Sequence, residues 1–240
     1  MTATRVSDAT GRITVRRRYG RRRRWLIAAI ALGVLVVLGG LSWLLLGSDV
    51  FGVRTVTVQG NRIVAKDDVR RLAEVPADTP LARVDLNAVA TRVSGLPAVA
   101  NVTVARAWPN TIAIRITERA PMFAIETTGG YWIVDDSGVV FQSAAQPPTG
   151  LMVASVPGGD PRLVRDLASV LRAVPAPVRS RVDRVTAQTA DSIILELGNG
   201  TTIIWGSAEQ SALKAQVLVK LMESKHRIYD VSAPSSPVTR

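Results

Sequence analysis

Between Trp25 and Leu46 the chain carries no charged residue, and few folds can accommodate that. A helix of about 22 residues at 1.5 Å per residue is roughly 33 Å long, enough to cross a ~30 Å hydrocarbon core. Gly33, Gly39 and Gly40 would weaken such a helix in water. In lipid they are tolerated, because no water competes for the backbone hydrogen bonds. Trp25 and Trp43 sit near its two ends, where amphipathic rings prefer the headgroup zone.

The alternative is a cleaved export signal. Such a signal has an apolar core of about 7 to 15 residues followed by a small-x-small site. Here the core is longer, and "SWLLLGSDVFG" offers no A-x-A pattern, so the reading is an anchor that stays. Nine arginines, ending in Arg21, Arg22, Arg23 and Arg24, and one acid, Asp8, put +8 of the formal +11 charge into residues 1–24. Cations flanking a span are retained in the cytoplasm, whereas the far flank starts "GSDV". The tail is therefore expected inside and everything after the span outside. The charge is a short tail, not a basic stripe across a folded domain, which argues against a nucleic-acid partner.

About 190 residues follow the span, enough for one large or two small domains. None of the 240 residues is cysteine, so disulfides, thiolate nucleophiles and cysteine-ligated zinc are excluded. The lone His226, between Lys225 and Arg227, reads as a solvated cation at a helix end. Asp135-Asp136 reads as turn chemistry in D-D-S-G, and Asp67-Asp68 as acids opening a helix. "PGGD" lacks the context of a phosphate loop. Trp108 and Trp132 each adjoin a hairpin and read as packing against a sheet, with partner binding as the alternative. No catalytic, metal or cofactor residues are assigned, and no small-molecule substrate is expected.

Periodicity organises the rest. "VRTVTVQGN" alternates with Val56 and Val58 on one face, and Gly60-Asn61 ends it. "AKDDVRRLAEV" and "DLNAVATRVSGLP" are helical, the second with Asp85 as N-cap and Gly95 and Pro97 as its stop. "VANVTVARA" and "TIAIRITER" are strands joined at "WPNT". Two amphipathic helices over a three-stranded sheet form a two-layer unit. Beyond it, Tyr131–Val134 and Val139–Phe141 flank a turn. "PRLVRDLASVLRAV" is a helix, and "DSIILELGNGTTIIWG" is a hairpin. "AEQSALKAQVLVKLMESK" is a helix with Leu213, Val217, Leu218, Leu221 and Met222 inward. "RIYDVSAPSSPVTR" is a strand-like stretch with a Pro/Ser-rich end.

The stretch from Val53 to Pro121 resembles the POTRA domain of the FtsQ/DivIB family of bacterial cell-division proteins. The likeness rests on its V-x-V-x-G-N opening, "LPAV", "WPNT" and closing I-x-E-R-x-P. "YWIVDDSGVVF", the passage around Gly206 and "YDVSAP" resemble the family's β domain more loosely. The resemblance implies an α+β protein with a single N-terminal transmembrane helix, a POTRA-type βααββ domain and a second β-rich α+β domain. The expected division is a basic tail over 1–24, a span over 25–46, domains over 50–119 and 120–233, and a flexible or edge-strand end over 234–240.

It further implies a non-enzymatic, cofactor-free scaffold of the divisome, in the cytoplasmic membrane at the septum. Its partners would be membrane-anchored division proteins of the FtsB/DivIC and FtsL coiled-coil type. The expected mechanism is strand addition at a C-terminal edge formed by Tyr229, Asp230, Val231, Ser232 and Ala233 with Ser235, Val238, Thr239 and Arg240. A frayed end is the open alternative for these residues. Two other readings compete. A tethered cell-wall enzyme lacks a convincing acid or nucleophile set, and an outer-membrane translocation protein has no room for its lipid-facing strands.

Overall fold

The computed structural model describes residues 12–47 and 49–240, with side chains for 24–43 and 50–240. The tail over 1–11 and the side chains of Arg21, Arg22 and Arg23 lie outside the described residues. Helix α1, Arg12–Gly47, contains a candidate span, Arg24–Trp43, of 20 residues with mean hydropathy 2.4. Every described side chain on it is exposed, as a lipid-facing helix requires and a soluble one could not tolerate.

A short 3-10 turn, Asp49–Phe51, leads into β1, Thr55–Gln59. Then come α2 (Lys66–Ala73), a 3-10 turn at Leu81–Arg83, α3 (Leu86–Ser94), β2 (Val99–Ala107) and β3 (Thr111–Glu118). Strand β3 is central: β1 pairs with it in parallel and β2 antiparallel. Ile112, Ile114 and Ile116 alternate onto the helix-covered face and are buried with Val58, Val69, Val89 and Val93. Each such side chain contributes about 1.5–3 kcal/mol of burial. Asp85 caps α3 as its position predicts, accepting from the Asn87 and Ala88 amides.

The second module contains β4 (Phe123–Thr127), β5 (Gly130–Val134), β6 (Val140–Ala144), β7 (Met152–Ser155), α4 (Pro161–Ala173) and the single turn α5 (Ala176–Arg179). It continues with β8 (Val182–Ala187), β9 (Ile193–Leu197), β10 (Thr202–Gly206), α6 (Ser211–Leu221), β11 (Ile228–Asp230) and β12 (Val238–Thr239). Nine strands form one sheet in the order β12-β11-β10-β9-β8-β7-β4-β5-β6. Its main core gathers Leu167, Val170 and Leu171 of α4, Leu218 of α6, and Phe123, Leu195, Ile203 and Trp205 from the strands.

Besides the two-residue β12, three strands escape the periodicity reading. In β4, Phe123, Ala124 and Ile125 are buried on both faces, so alternation vanishes. In β8 a register shift between Val182 and Arg184 breaks the period, and β7 is only four residues long. The expected strand Val139–Phe141 instead runs Val140–Ala144.

The expected inward stripe of α6 also needs correction. Leu213 is 46% exposed, while Lys214 is buried and its Nζ donates to the Ser207 carbonyl at 2.9 Å. The lysine stem substitutes for a hydrocarbon, and the ammonium is satisfied by backbone. Burial pushes the Lys214 pKa down, although Glu209 and Asp191 act to raise it. The helix stops at Leu221, so His226 lies in the following loop.

Candidate docking surface

Of the stretch expected to form the C-terminal edge, Val238, Thr239 and Arg240 lie on the outermost strand, whereas Tyr229–Ala233 lies inside it. Tyr229 and Asp230 of β11 are enclosed, parallel to β10 on one side and antiparallel to β12 on the other. Tyr229 and Val231 are buried in the core, and the Tyr229 hydroxyl donates to the Ser224 carbonyl at 2.7 Å. Ser232 folds back to bond the Asp230 carboxylate, and Ala233 accepts from the Ser236 amide. Ala233 and Ser235 are exposed in the connection to β12. The outer rim therefore consists of Val238 and Thr239, followed by Arg240.

Register determines what this rim offers. Ile228 and Arg240 exchange both backbone bonds, at 2.9 and 3.1 Å. In an antiparallel pair, bonded and non-bonded positions alternate. The Tyr229–Thr239 pair is therefore non-bonded, and Thr239 turns its N–H and C=O away from the sheet. Pro237, two positions earlier, presents a carbonyl on that side and has no N–H to leave unpaired. Beside the rim, Leu213, Val217, Val219 and Leu221 of α6 form with Pro237 an apolar hollow of about 660 Å³. A cationic hollow of about 730 Å³ lies near the same end, with Arg181, Lys225, His226, Arg227 and Arg240 on its walls. The His226 ring stands edge-on to Tyr229 at 6.0 Å, and its backbone amide donates to the Tyr229 hydroxyl.

The adjacent acids Asp135 and Asp136 diverge. Asp136 is exposed; Asp135 is buried and meets Arg119 of the first module, Nη1 to Oδ2 at 2.5 Å. Burial pushes the Asp135 carboxyl up, but the Val139 amide, Arg119 and the Ser137 hydroxyl outweigh it and hold the pKa below its ordinary value. The same guanidinium donates from Nε to the Pro97 carbonyl at 2.9 Å, so one side chain ties both modules together. No group of three His, Cys, Asp or Glu residues able to hold a metal occurs among the described residues.

Comparison with known proteins now decides the family. Residues 51–119 match the family model for the POTRA domain, FtsQ-type, and residues 124–233 match that for Cell division protein FtsQ/DivIB, C-terminal. The chain belongs to the FtsQ/DivIB family. It is similar to Cell division protein FtsQ of Streptomyces bingchenggensis, at 38% identity over 92% of this chain and 88% of that protein. Its similarity to the Streptomyces coelicolor protein of the same name is 34%, over 98% and 95%. With that of Mycobacterium tuberculosis it is 33%, over 90% and 70%.

The motif residues of this FtsQ/DivIB chain have visible structural work. Gly60 adopts φ +86°, and a Cβ there would lie 2.1 Å from the Ile116 carbonyl oxygen, so only glycine fits. The Asn61 amide donates to the Val64 carbonyl. Glu118, of the closing I-x-E-R-x-P, accepts from the backbone amides of Arg62, Ile63 and Val64 at 2.8–3.0 Å. Burial pushes its pKa up, but those amides and Arg62 bring it below the ordinary value. Arg119, the next motif residue, makes the junction just described.

Trp108 and Trp132 do not pack as expected. Trp108 is 51% exposed and touches Phe51 edge-on, with ring centroids 5.6 Å apart. Trp132 is 36% exposed over Gly159, where a Cβ would come within 2.5 Å of the ring. Sequence reasoning named Thr239 in the edge but missed Phe51 and the direction in which the Thr239 backbone groups point. Only strand register, which no local pattern carries, could have revealed the latter.

Proposed function

We propose that this chain is a non-enzymatic, single-pass scaffold of the bacterial divisome, with its N-terminus cytoplasmic and both folded modules outside the cytoplasmic membrane. Its division is a basic tail (1–24), a span (25–46), a POTRA-type domain (50–119), a β domain (120–233) and a partner-binding end (234–240). It works at the septum by holding membrane-anchored division proteins of the FtsB/DivIC and FtsL type.

The observation that carries this reading is the rim of β12. A sheet of nine strands ends in a strand of two residues whose Thr239 N–H and C=O face outward. An extended partner segment completes that ladder by strand addition. The apolar hollow beside Pro237 receives the partner's alternate side chains, and the cations around Arg227 and Arg240 favour an acidic flank. Tyr229 and Val231 contribute by holding β11 in place, while Val238, Thr239 and Arg240 make the contact.

Co-purification from membranes tests it. The full chain is expected to retain the coiled-coil pair, and a chain ending at Ala233 is expected to lose it while keeping Tyr229 and Val231 in the core. Undiminished capture by the shortened chain would remove the reading.

A further inference from the structure

The first outer module has a membrane-facing end that topology picks out. Strands β1 and β3 are parallel, in register from Thr55 opposite Thr111, and the Arg54 amide donates to the Asn110 carbonyl at 2.9 Å. The turn joining β2 to β3 therefore lies beside the start of β1, where the chain leaves the candidate span. From Gly47, the last residue of α1, to Phe51 is four residue steps, at most ~14 Å when fully extended. The 3-10 turn at Asp49–Phe51 rises only about 2 Å per residue and shortens this to roughly 10 Å. The headgroup layer is about 5–7 Å deep on each side of the hydrocarbon. The 3-10 turn at Leu81–Arg83 also contacts α1, which keeps this end against the helix.

Aromatic and apolar groups collect here. Trp108, on the hairpin tip, is 51% exposed and packs edge-on to Phe51, and Val50 is 58% exposed. Tryptophan is the side chain that most favours the headgroup zone, with its ring in the apolar boundary and its N–H toward water. Arg54 and Arg83 are exposed at the same end, and Asp78 partly offsets them. The Arg106 guanidinium is occupied by the Leu81 and Val84 carbonyls. The character of the surface is therefore aromatic more than electrostatic.

We propose that this end of the POTRA-type module is seated in the outer headgroup layer of the bilayer, with Trp108 inserted beside Phe51. The seating fixes the module's tilt and height over the membrane, and with them the direction in which the second module presents β12. It rests on the reading of Trp25–Leu46 as a retained span.

The test uses the full chain in zwitterionic vesicles containing headgroup-level spin-labelled lipid. The difference in emission between the wild type and Trp108→Phe reports Trp108 alone, and phenylalanine keeps a ring against Phe51. That difference should be lost to the spin label to the same extent as the matching difference for Trp43→Phe, and be shielded from aqueous iodide. The Trp132→Phe difference should behave oppositely. As a second reporter that leaves Trp108 in place, Ala107→Cys supplies the sole thiol for a polarity-sensitive dye, whose emission should shift to the blue on reconstitution. Trp108 emission quenched by iodide and untouched by spin-labelled lipid, in protein that resists alkaline carbonate extraction, overturns the seating alone. Protein released by carbonate overturns the retained span and the seating together.

Discussion

Replacing Thr239 by proline separates the role of the β12 rim in folding from its role in binding. The Thr239 N–H points away from β11, because its neighbours Val238 and Arg240 are the ones bonded to Asp230 and Ile228. Proline is tolerated on an edge strand where the missing N–H faces outward, so the chain's own sheet loses no bond. A partner strand loses one ladder hydrogen bond, and its carbonyl opposite position 239 is left unpaired at a closed interface. The net bond is worth about 0.5–1.5 kcal/mol and the stranded carbonyl about 1–3 kcal/mol. Because the carbonyl stays behind without its donor, the larger figure sets the loss, and about 1–3 kcal/mol corresponds to a Kd raised roughly 5- to 160-fold.

The assay is binding of the coiled-coil pair to the full chain in nanodiscs, with the melting temperature measured in parallel. Thr239→Val keeps the N–H and the strand propensity and should bind like the wild type. Equal loss in both variants would assign the contact to the threonine hydroxyl. Unchanged binding by Thr239→Pro, with an unchanged melt, would refute strand addition at this rim.

Two further outcomes follow from the junction between the modules. Arg119→Ala should destabilise the chain by about 3 kcal/mol, the lower end of the range for breaking a buried ion pair because Arg119 is 20% exposed, seen as a lowered melting temperature; an unchanged melt would remove the junction's role. The Asp135 pKa is lower folded than unfolded, so its contribution is complete above about pH 4 and is lost as pH falls through the folded value. Stability measured against pH should decline in that window for the wild type, and less steeply for Asp135→Asn.

The sequence announces much of this fold because many elements are half-buried and regular. Ile112, Ile114 and Ile116 alternate, Leu163, Leu167 and Leu171 repeat at helical spacing, and Asp85 caps α3. What stayed hidden has physical causes. Phe123–Ile125 is buried on both faces and so carries no period. Lys214 looks like a surface residue until its stem is seen in the core and its ammonium on the Ser207 carbonyl. The expected docking edge takes in Tyr229–Ala233 together with Ser235, Val238, Thr239 and Arg240, because nothing in the local sequence separates an inner strand from an outer one. Two residues after a Pro/Ser-rich loop are too few to register as β12, yet they displace the edge outward by one strand. The resemblance pointed to Glu118 and Arg119 through their motif. Their jobs, holding three loop amides and bridging to Asp135, depend on contacts made across 54 and 16 residues of chain.

Hydrogen exchange at the Thr239 amide, with and without the coiled-coil pair, tests strand addition most directly. In the free chain this amide should exchange quickly while those of Val238 and Arg240 are protected; on binding it should become protected as well. Exchange at Thr239 that stays fast in the saturated complex would contradict it.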